Sequence, residues 1–378
     1  MTLPFVPFDL ERWQSTWEHR VRINLSESGV HPLALDELLA LAGTSPDELL
    51  RLRAGYGHSD GTPALRAAIA ALYPDADPEQ VVVTIGSAEA NFVVMWSLVG
   101  RGDRVSVVTP TYMQSFGLAE NFGATVTELP LVEALGWQPD LSRVDAAIPD
   151  GTKVVVVTNP NNPTGQVLSV EAREAILARA SKVGAWILAD EVYRGAEHAG
   201  PRTESLWGTY ERVIVVGGLS KAYGLPGLRI GWILGSRAFR DAAVERHDYT
   251  VIGPGPITDW LAVKGLGVGD QILKRTRGIL TENYPVLSNW LDGFNGTFRW
   301  TRPQCGAICF VHYDFPIPSD DLVERVRKDH GILLVPGSQF QREHYLRLGF
   351  GNERAELEEA LGVLKPAFER IIGAGSRG

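Results

Sequence analysis

Apolar positions recur along this chain in two alternating rhythms. Short apolar runs at 81–84, 104–109, 153–158, 186–189 and 212–216, the last of them β-branched, read as buried strands. Between them, residues 88–99, 114–121 and 170–182 carry apolar side chains at helical spacing, the stripe of a helix packed on a core. A further strand is expected at 230–234. Upstream, 33–42 has helical spacing, and Thr62-Pro63 opens a helix over 64–72. Proline stands there in the first turn, where its missing N–H is harmless. Strands that are apolar throughout belong to a sheet covered on both faces. The expected fold class is therefore α/β, with a mostly parallel sheet between helices.

After residue 269 the rhythm changes. A long helical pattern at 270–294 reads as a connector, followed by strands at 308–312, 332–336 and 345–349 and helices at 322–329 and 353–372. This predicts a smaller α+β domain. The expected division is 1–40 as an N-terminal arm that returns to the smaller domain, 41–268 as a large domain, and 269–378 as connector helix and C-terminal small domain.

Composition narrows the function. With 378 residues, 44% hydrophobic and 21% charged, the chain is long enough for two full cores. Its net charge of -9 argues against a nucleic-acid partner. Two cysteines, Cys305 and Cys309, make no disulfide framework, and no His or Cys cluster completes a metal site. The N-terminus lacks the basic and apolar regions of a secretory signal, and the apolar run 92–99 is too short to span a membrane. A cytoplasmic enzyme on a small molecule, with no membrane partner, is the expectation.

In open α/β sheets ligands gather at the carboxyl ends of strands, and the strand-end loops here are rich in chemistry. Lys221 follows a strand and two glycines, among small and apolar neighbours. Such a setting lowers an amine's pKa and makes it a usable nucleophile, although most lysines are solvated charges. Arg229 lies after a Gly/Pro-rich turn that can fold it back toward the lysine. Gly86, Ser87 and Ala88 join a strand to a helix, which makes either a tight turn or an anion seat. Tyr112 serves either core packing or stacking on a heteroaromatic ring. Asp190 is either a helix cap or a partner for a ring N–H. Asn162 lies in a dense run of turn formers, and Tyr56 in a turn. Arg347 is a lone cation in an apolar strand and should meet an anion.

The runs NPNNPTG (159–165), ADEVY (189–193) and SKAYGLPGLR (220–229) resemble, in order, motifs of the fold-type-I pyridoxal 5'-phosphate (PLP) enzymes, the class I/II aminotransferases. The resemblance spans nearly the whole chain. It implies a large domain with a seven-stranded, mostly parallel sheet that binds PLP, and a homodimer with shared active sites. It implies that Lys221 forms the Schiff base and carries the Cα proton. Asp190 would pair with the pyridine nitrogen, Tyr112 stack on the ring, and Asn162 and Tyr193 share the phenolic oxygen. The phosphate would meet the amides at Gly86, Ser87 and Ala88, with Ser220, Arg229 and the other subunit's Tyr56. Arg347, beside Asn162, would fork the α-carboxylate of an amino-acid substrate.

Two departures bear on the substrate. Gly218 stands where relatives often carry a Ser or Thr phosphate ligand. The arm offers Glu27, Ser28 and His31 where many relatives have an apolar turn, so one of these is expected to face the substrate side chain unless the segment is a solvated loop. No Arg or Lys occurs at 251–256, where dicarboxylate-specific relatives carry a cation. A polar, basic or bulkier side chain is therefore expected. SGVH (28–31), SKAYGLPGLR and Val335-Pro336-Gly337 are similar to capreomycidine synthase-like enzymes of antibiotic biosynthesis. Amino-group transfer is the first expectation. Elimination or replacement at Cβ, cyclisation, and decarboxylative or oxidative deamination of an amino acid or cysteine conjugate remain open beside it.

Overall fold

The structure is a computed structural model and describes residues 5–375. The N-terminal arm forms a helix, Asp9–Trp17, and then strand β1 (Ile23–Asn24). Residues 1–4, where the expected arm begins, lie outside the described residues. Next come β2 (Val81–Ile85), β3 (Arg104–Thr109), β4 (Thr125–Val132), β5 (Gln138–Pro139), β6 (Thr152–Thr158), β7 (Trp186–Asp190), β8 (Val213–Gly218) and β9 (Ile230–Leu234).

Those eight strands make one sheet in the order β2-β9-β8-β7-β6-β3-β4-β5. All pairings from β8 to β4 are parallel, while β9 runs against both β2 and β8. The strands β2, β3, β6, β7 and β8 therefore share one direction, and their carboxyl ends form one edge. The sheet has one strand more than the expected seven. The addition is the two-residue β5 at the border, where Pro139 needs no ladder donor on its outer side. Strand β4 and the helix Arg237–His247 also escaped the pattern. The first has exposed or half-buried residues at 125–128 and a proline, Pro130, inside the strand, and the second is too rich in charge for a clear apolar stripe.

Apolar layers cover both faces. One holds Val82, Val105, Val154 and Ile214 against helix Gly86–Leu98. The other holds Val83, Val155, Ile187 and Val215 and continues into the second sheet. That sheet is antiparallel and comprises β10 (Phe298–Trp300), β11 (Ile308–Tyr313), β13 (Val335–Pro336) and β14 (Tyr345–Gly349), in the order β10-β11-β14-β13. Strand β12 (Ile332–Leu333) pairs instead with β1 of the arm, in parallel. The helix opened by Thr62 is Pro63–Ala70, with the Thr62 hydroxyl accepting from the Leu65 N–H. Among the described residues, no helix is long and apolar enough to cross a membrane.

Candidate active site

Asp190 is the last residue of β7 and is buried. Asn91 Nδ2 donates to its Oδ2 at 3.0 Å and the Val192 N–H to its Oδ1 at 3.2 Å. Burial raises the Asp190 carboxyl pKa, and these two donors, with the more distant Lys221 charge, only partly offset it. Among the described residues no cation lies within 4.0 Å of it. A fully buried acid held by neutral donors alone is short of a positive partner.

Lys221 follows β8, with its side chain 29% exposed. Its Nζ stands 3.6 Å from Glu27 Oε2. Burial works to lower the lysine pKa, as the sequence suggested. Glu27 and then Tyr193 push the other way and prevail, so the amine sits above its usual value. This corrects the expectation of a depressed pKa: the arm brings a carboxylate that the lysine's own neighbours do not reveal. Lys221 is in turn the main cause that holds Glu27 below the usual carboxylate range.

Arg347, in the middle of β14, is 1% exposed. Nη1 donates to Asn162 Oδ1 at 3.0 Å and Nη2 to the Ser26 carbonyl at 2.5 Å, while Nε has no hydrogen-bond partner. Burial pushes its pKa down. No carboxylate lies within 4.0 Å of it among the described residues. Lys221, Asp190, Asn162, Tyr193, Ser28 and Arg347 face one cavity, with Ser87 and Tyr112 closing it. The buried Tyr193 hydroxyl donates to Ser28 Oγ at 2.8 Å.

The turn after β2 is built for close approach. Gly86 has φ +76, and a Cβ there would fall 2.5 Å from Arg229 Nη2. A Cβ on Gly231 of β9 would fall 2.3 Å from the Gly86 carbonyl carbon, and one on Gly218 3.6 Å from Ser87 Cβ. Helix Gly86–Leu98 starts here without a side-chain cap, so its first amides point outward beside an exposed guanidinium. That donor set suits a phosphate dianion.

Other expected residues fall less centrally. Gly86, Ala88, Ser220 and Arg229 flank the cavity without lining it. His31 is turned away. Its Nδ1 lies 2.9 Å from Arg275 Nη2, and burial, then Arg275, lowers its pKa. Tyr56 is 98% exposed and touches none of this.

The sequence pattern missed Glu11, Gln14, Asn91 and Thr158. Glu11 and Gln14 sit on the arm helix and line the cavity with Thr158. Tyr112 OH donates to Glu11 Oε1 at 2.7 Å, and Gln14 Nε2 to the Ser26 carbonyl at 3.0 Å. Asn91 carried a usable signal, being a lone amide among the apolar residues Phe92, Val93 and Val94 and buried beside Ala90.

These residues fit PLP: a seat for its phosphate, an acid lacking a cation, and an amine at a strand end. Three comparisons agree. The family model described as aminotransferase class I and II matches residues 31–364. Capreomycidine synthase of Streptomyces vinaceus is 32% identical over 378 residues, covering 100% of this chain and 96% of that protein. A PLP-dependent aminotransferase structure from Streptococcus suis 89-1591 superposes at TM-score 0.92 with 35% identity, over 98% of this chain and 99% of that one. The PLP-dependent cyclase OrfR superposes at TM-score 0.90 with 26% identity, over 98% and 99%. With its Lys221 cavity at the edge of an α/β sheet, this chain belongs to the class I and II aminotransferase family, as a PLP-dependent enzyme.

Proposed function

We propose that this enzyme acts at Cα of an α-amino acid and transfers its amino group. The observation that carries the reading is Arg347, a buried guanidinium lacking a carboxylate partner, opening on the same cavity as Lys221. The residues to hold PLP are the amides at 86–88 with Ser220 and Arg229 for phosphate, Tyr112 and Asp190 for the ring, and Asn162 and Tyr193 for its phenolic oxygen. When bound, PLP supplies a carbonyl for amines and an electron sink at Cα.

Arg347 takes the substrate carboxylate by a two-pronged bond, for which a guanidinium is shaped. That fixes Cα within reach of Lys221. The amine can accept the Cα proton only in its neutral form, which the Glu27 charge beside it disfavours. Tyr193, bonded to Ser28, stands ready to pass a proton between the ring side and the arm. The cavity closes on the substrate side with Ser28, Glu11 and Gln14, which suits a polar or basic side chain.

A second reading is favoured by the carboxylates Glu11 and Glu27 and by similarity to a synthase and a cyclase. In it the same residues start the reaction, and the product comes from elimination, replacement, cyclisation or oxidative deamination. Single amino acids, including arginine derivatives and S-substituted cysteines, are added to holoenzyme without a keto acid. One equivalent of oxo acid per site, then arrest, supports transfer. Repeated turnover with release of ammonia or a β-substituent rejects it.

We also propose a cytoplasmic homodimer with the domain division 1–40, 41–268 and 269–378. Tyr56 and Tyr249, 98% and 84% exposed, support a partner surface near the site. Sedimentation of a monomer at micromolar concentration would refute the dimer.

A further inference from the structure

Glu89 lies in the first turn of helix Gly86–Leu98, three residues past the glycine of the phosphate seat. An acid there suits the helix dipole but has the wrong sign for an incoming phosphate. Its contacts explain what it does. Oε2 accepts the Ile85 N–H at 2.6 Å, the amide just before the Gly86 turn. Oε1 meets the Thr250 hydroxyl. That hydroxyl also lies 2.8 Å from the His247 carbonyl, and its single proton favours the charged acceptor. His247 is 0% exposed, with neither ring nitrogen hydrogen-bonded, and its Nε2 stands 3.5 Å from Glu89 Oε2. Burial works against the Glu89 charge, yet His247, Thr250 and the Ile85 N–H together keep its carboxyl below the usual range.

The far side of this contact is a segment with little holding it inside. Tyr249 is 84% exposed and meets Trp96 edge-on at 6.0 Å. Ile252 has φ +69 and is 55% exposed. Beyond it, a Cβ on Gly253 would fall 2.8 Å from Ser59 Cα, so the segment rests on the loop that bears Tyr56. Glu89 thus bridges the start of the phosphate seat and a surface loop that packs beside Tyr56.

We infer that Glu89 is a positioning residue that fixes the turn at 85–87 for the cofactor phosphate and ties it to Thr250, so that PLP binding and order in residues 248–257 depend on each other. The inference rests on the reading that this turn holds the phosphate. If Glu89 were only a helix cap, removing it would lower the stability of the apo-protein and leave PLP affinity alone.

PLP is titrated into apo-protein, and Kd is read by absorbance and equilibrium dialysis, with hydrogen exchange followed at 248–257. Loss of a charged acceptor should raise Kd about tenfold in Glu89→Ala, and less in Glu89→Gln, which keeps one acceptor. Thr250→Val should weaken PLP several-fold, and the double variant should bind within about twofold of Glu89→Ala, since both changes break one link. PLP should raise protection of 248–257 in the wild type and not in Glu89→Ala. An unchanged Kd in a folded Glu89→Ala protein, additive losses in the double variant, or equal gains in protection would overturn the inference. Should Glu89→Ala fail to fold, an unchanged Kd in Thr250→Val overturns it alone. Arg229→Ala separates the two readings: if it too leaves Kd unchanged, the phosphate sits elsewhere, whereas weakening there with Glu89→Ala neutral rejects only the role of Glu89.

Discussion

Glu27 Oε2 and Lys221 Nζ stand 3.6 Å apart, joining the arm to the loop after β8. The carboxylate is the largest influence that raises the lysine pKa, against burial. Glu27→Gln removes it, leaving burial and Arg347 acting downward against the weaker upward pull of Tyr193 and Glu11, so the pKa must fall from its present value. A raised lysine pKa gives stability below the unfolded value that is lost as pH rises through the folded one. The lowered Glu27 pKa gives stability above its unfolded value that is lost as pH falls. The pair therefore acts at neutral pH. The rate at which apo-protein captures PLP tracks the free-amine fraction, and its midpoint should move to lower pH in Glu27→Gln. Coincident midpoints would show that the contact has no electrostatic weight.

Arg347→Lys keeps the charge and loses the fork. Asn162 Oδ1 and the Ser26 carbonyl would compete for one ammonium. Loss of a buried, hydrogen-bonded charge contact is worth about 2–5 kcal/mol, so KM for the amino acid should rise by at least about thirtyfold. Binding of the matching amine without a carboxylate should change little. If both ligands weaken equally, Arg347 supports the fold and does not read the carboxylate.

The edge of the sheet was legible because strand periodicity and turn residues are local. Asp190, Asn162 and Lys221 each follow a run of apolar strand residues, and open sheets gather ligands at such ends. The arm was not legible in the same way. Helix Asp9–Trp17 is short, lacks a side-chain cap and is broken into by polar residues, so nothing local announces that Glu11 meets Tyr112 across 101 positions. The Lys221 pKa was misjudged for the same reason, since Glu27 is 194 residues distant in the chain and is brought in by the β1 pairing with β12 and by the Leu25 carbonyl accepting from the Gly349 N–H. His31 looked like a substrate contact because of its segment, yet a cation on a distant helix claims it.

Glu191 gives the fold a pH dependence of its own. It is 5% exposed; Oε1 accepts from Ser205 at 2.9 Å and from the Leu206 N–H at 2.8 Å, while Oε2 has no hydrogen-bond partner and lies 4.0 Å from Arg194 Nε. Burial, opposed by Arg194, raises its pKa to about 7. The folded protein then binds a proton that the unfolded chain has released, so this group's contribution weakens as pH rises from about 4.5 to about 7. The span corresponds to about 3 kcal/mol. Glu191→Gln, which resembles the protonated form, should gain thermal stability over the wild type at pH 8 and little at pH 4.5. A gain that is the same at both would place the effect in packing.

Tyr112→Phe tests the link from cavity to arm. The ring and its edge-on contact with Phe8 at 4.9 Å remain, and only the bond to Glu11 is lost. A hydrogen bond to a charged group contributes about 1.5–3 kcal/mol. Hydrogen exchange in Asp9–Trp17 should quicken while the sheet strands keep wild-type protection. Unchanged exchange in the arm would mean that Trp13 and Gln14 suffice to hold it.

Gly231→Ala should unseat the phosphate without touching any proposed ligand. Gly231 faces Thr84 in β2 and Gly218 in β8, where three backbones meet. Its Cβ would fall 2.3 Å from the Gly86 carbonyl carbon and 2.4 Å from the Ser87 nitrogen. Both are main-chain atoms that no rotamer change can move, so either β9 shifts or the turn opens. Overpacking of this kind costs about 1–3 kcal/mol, and here the strain falls on the amides proposed for the phosphate. Gly227 is the control: it lies four residues earlier, in the Gly/Pro-rich turn before Arg229, and a Cβ there meets nothing within 4 Å. Gly231→Ala should bind PLP at least about fivefold more weakly than Gly227→Ala, which should match the wild type. Equal affinities would mean that the turn at 86–88 is not where the phosphate rests.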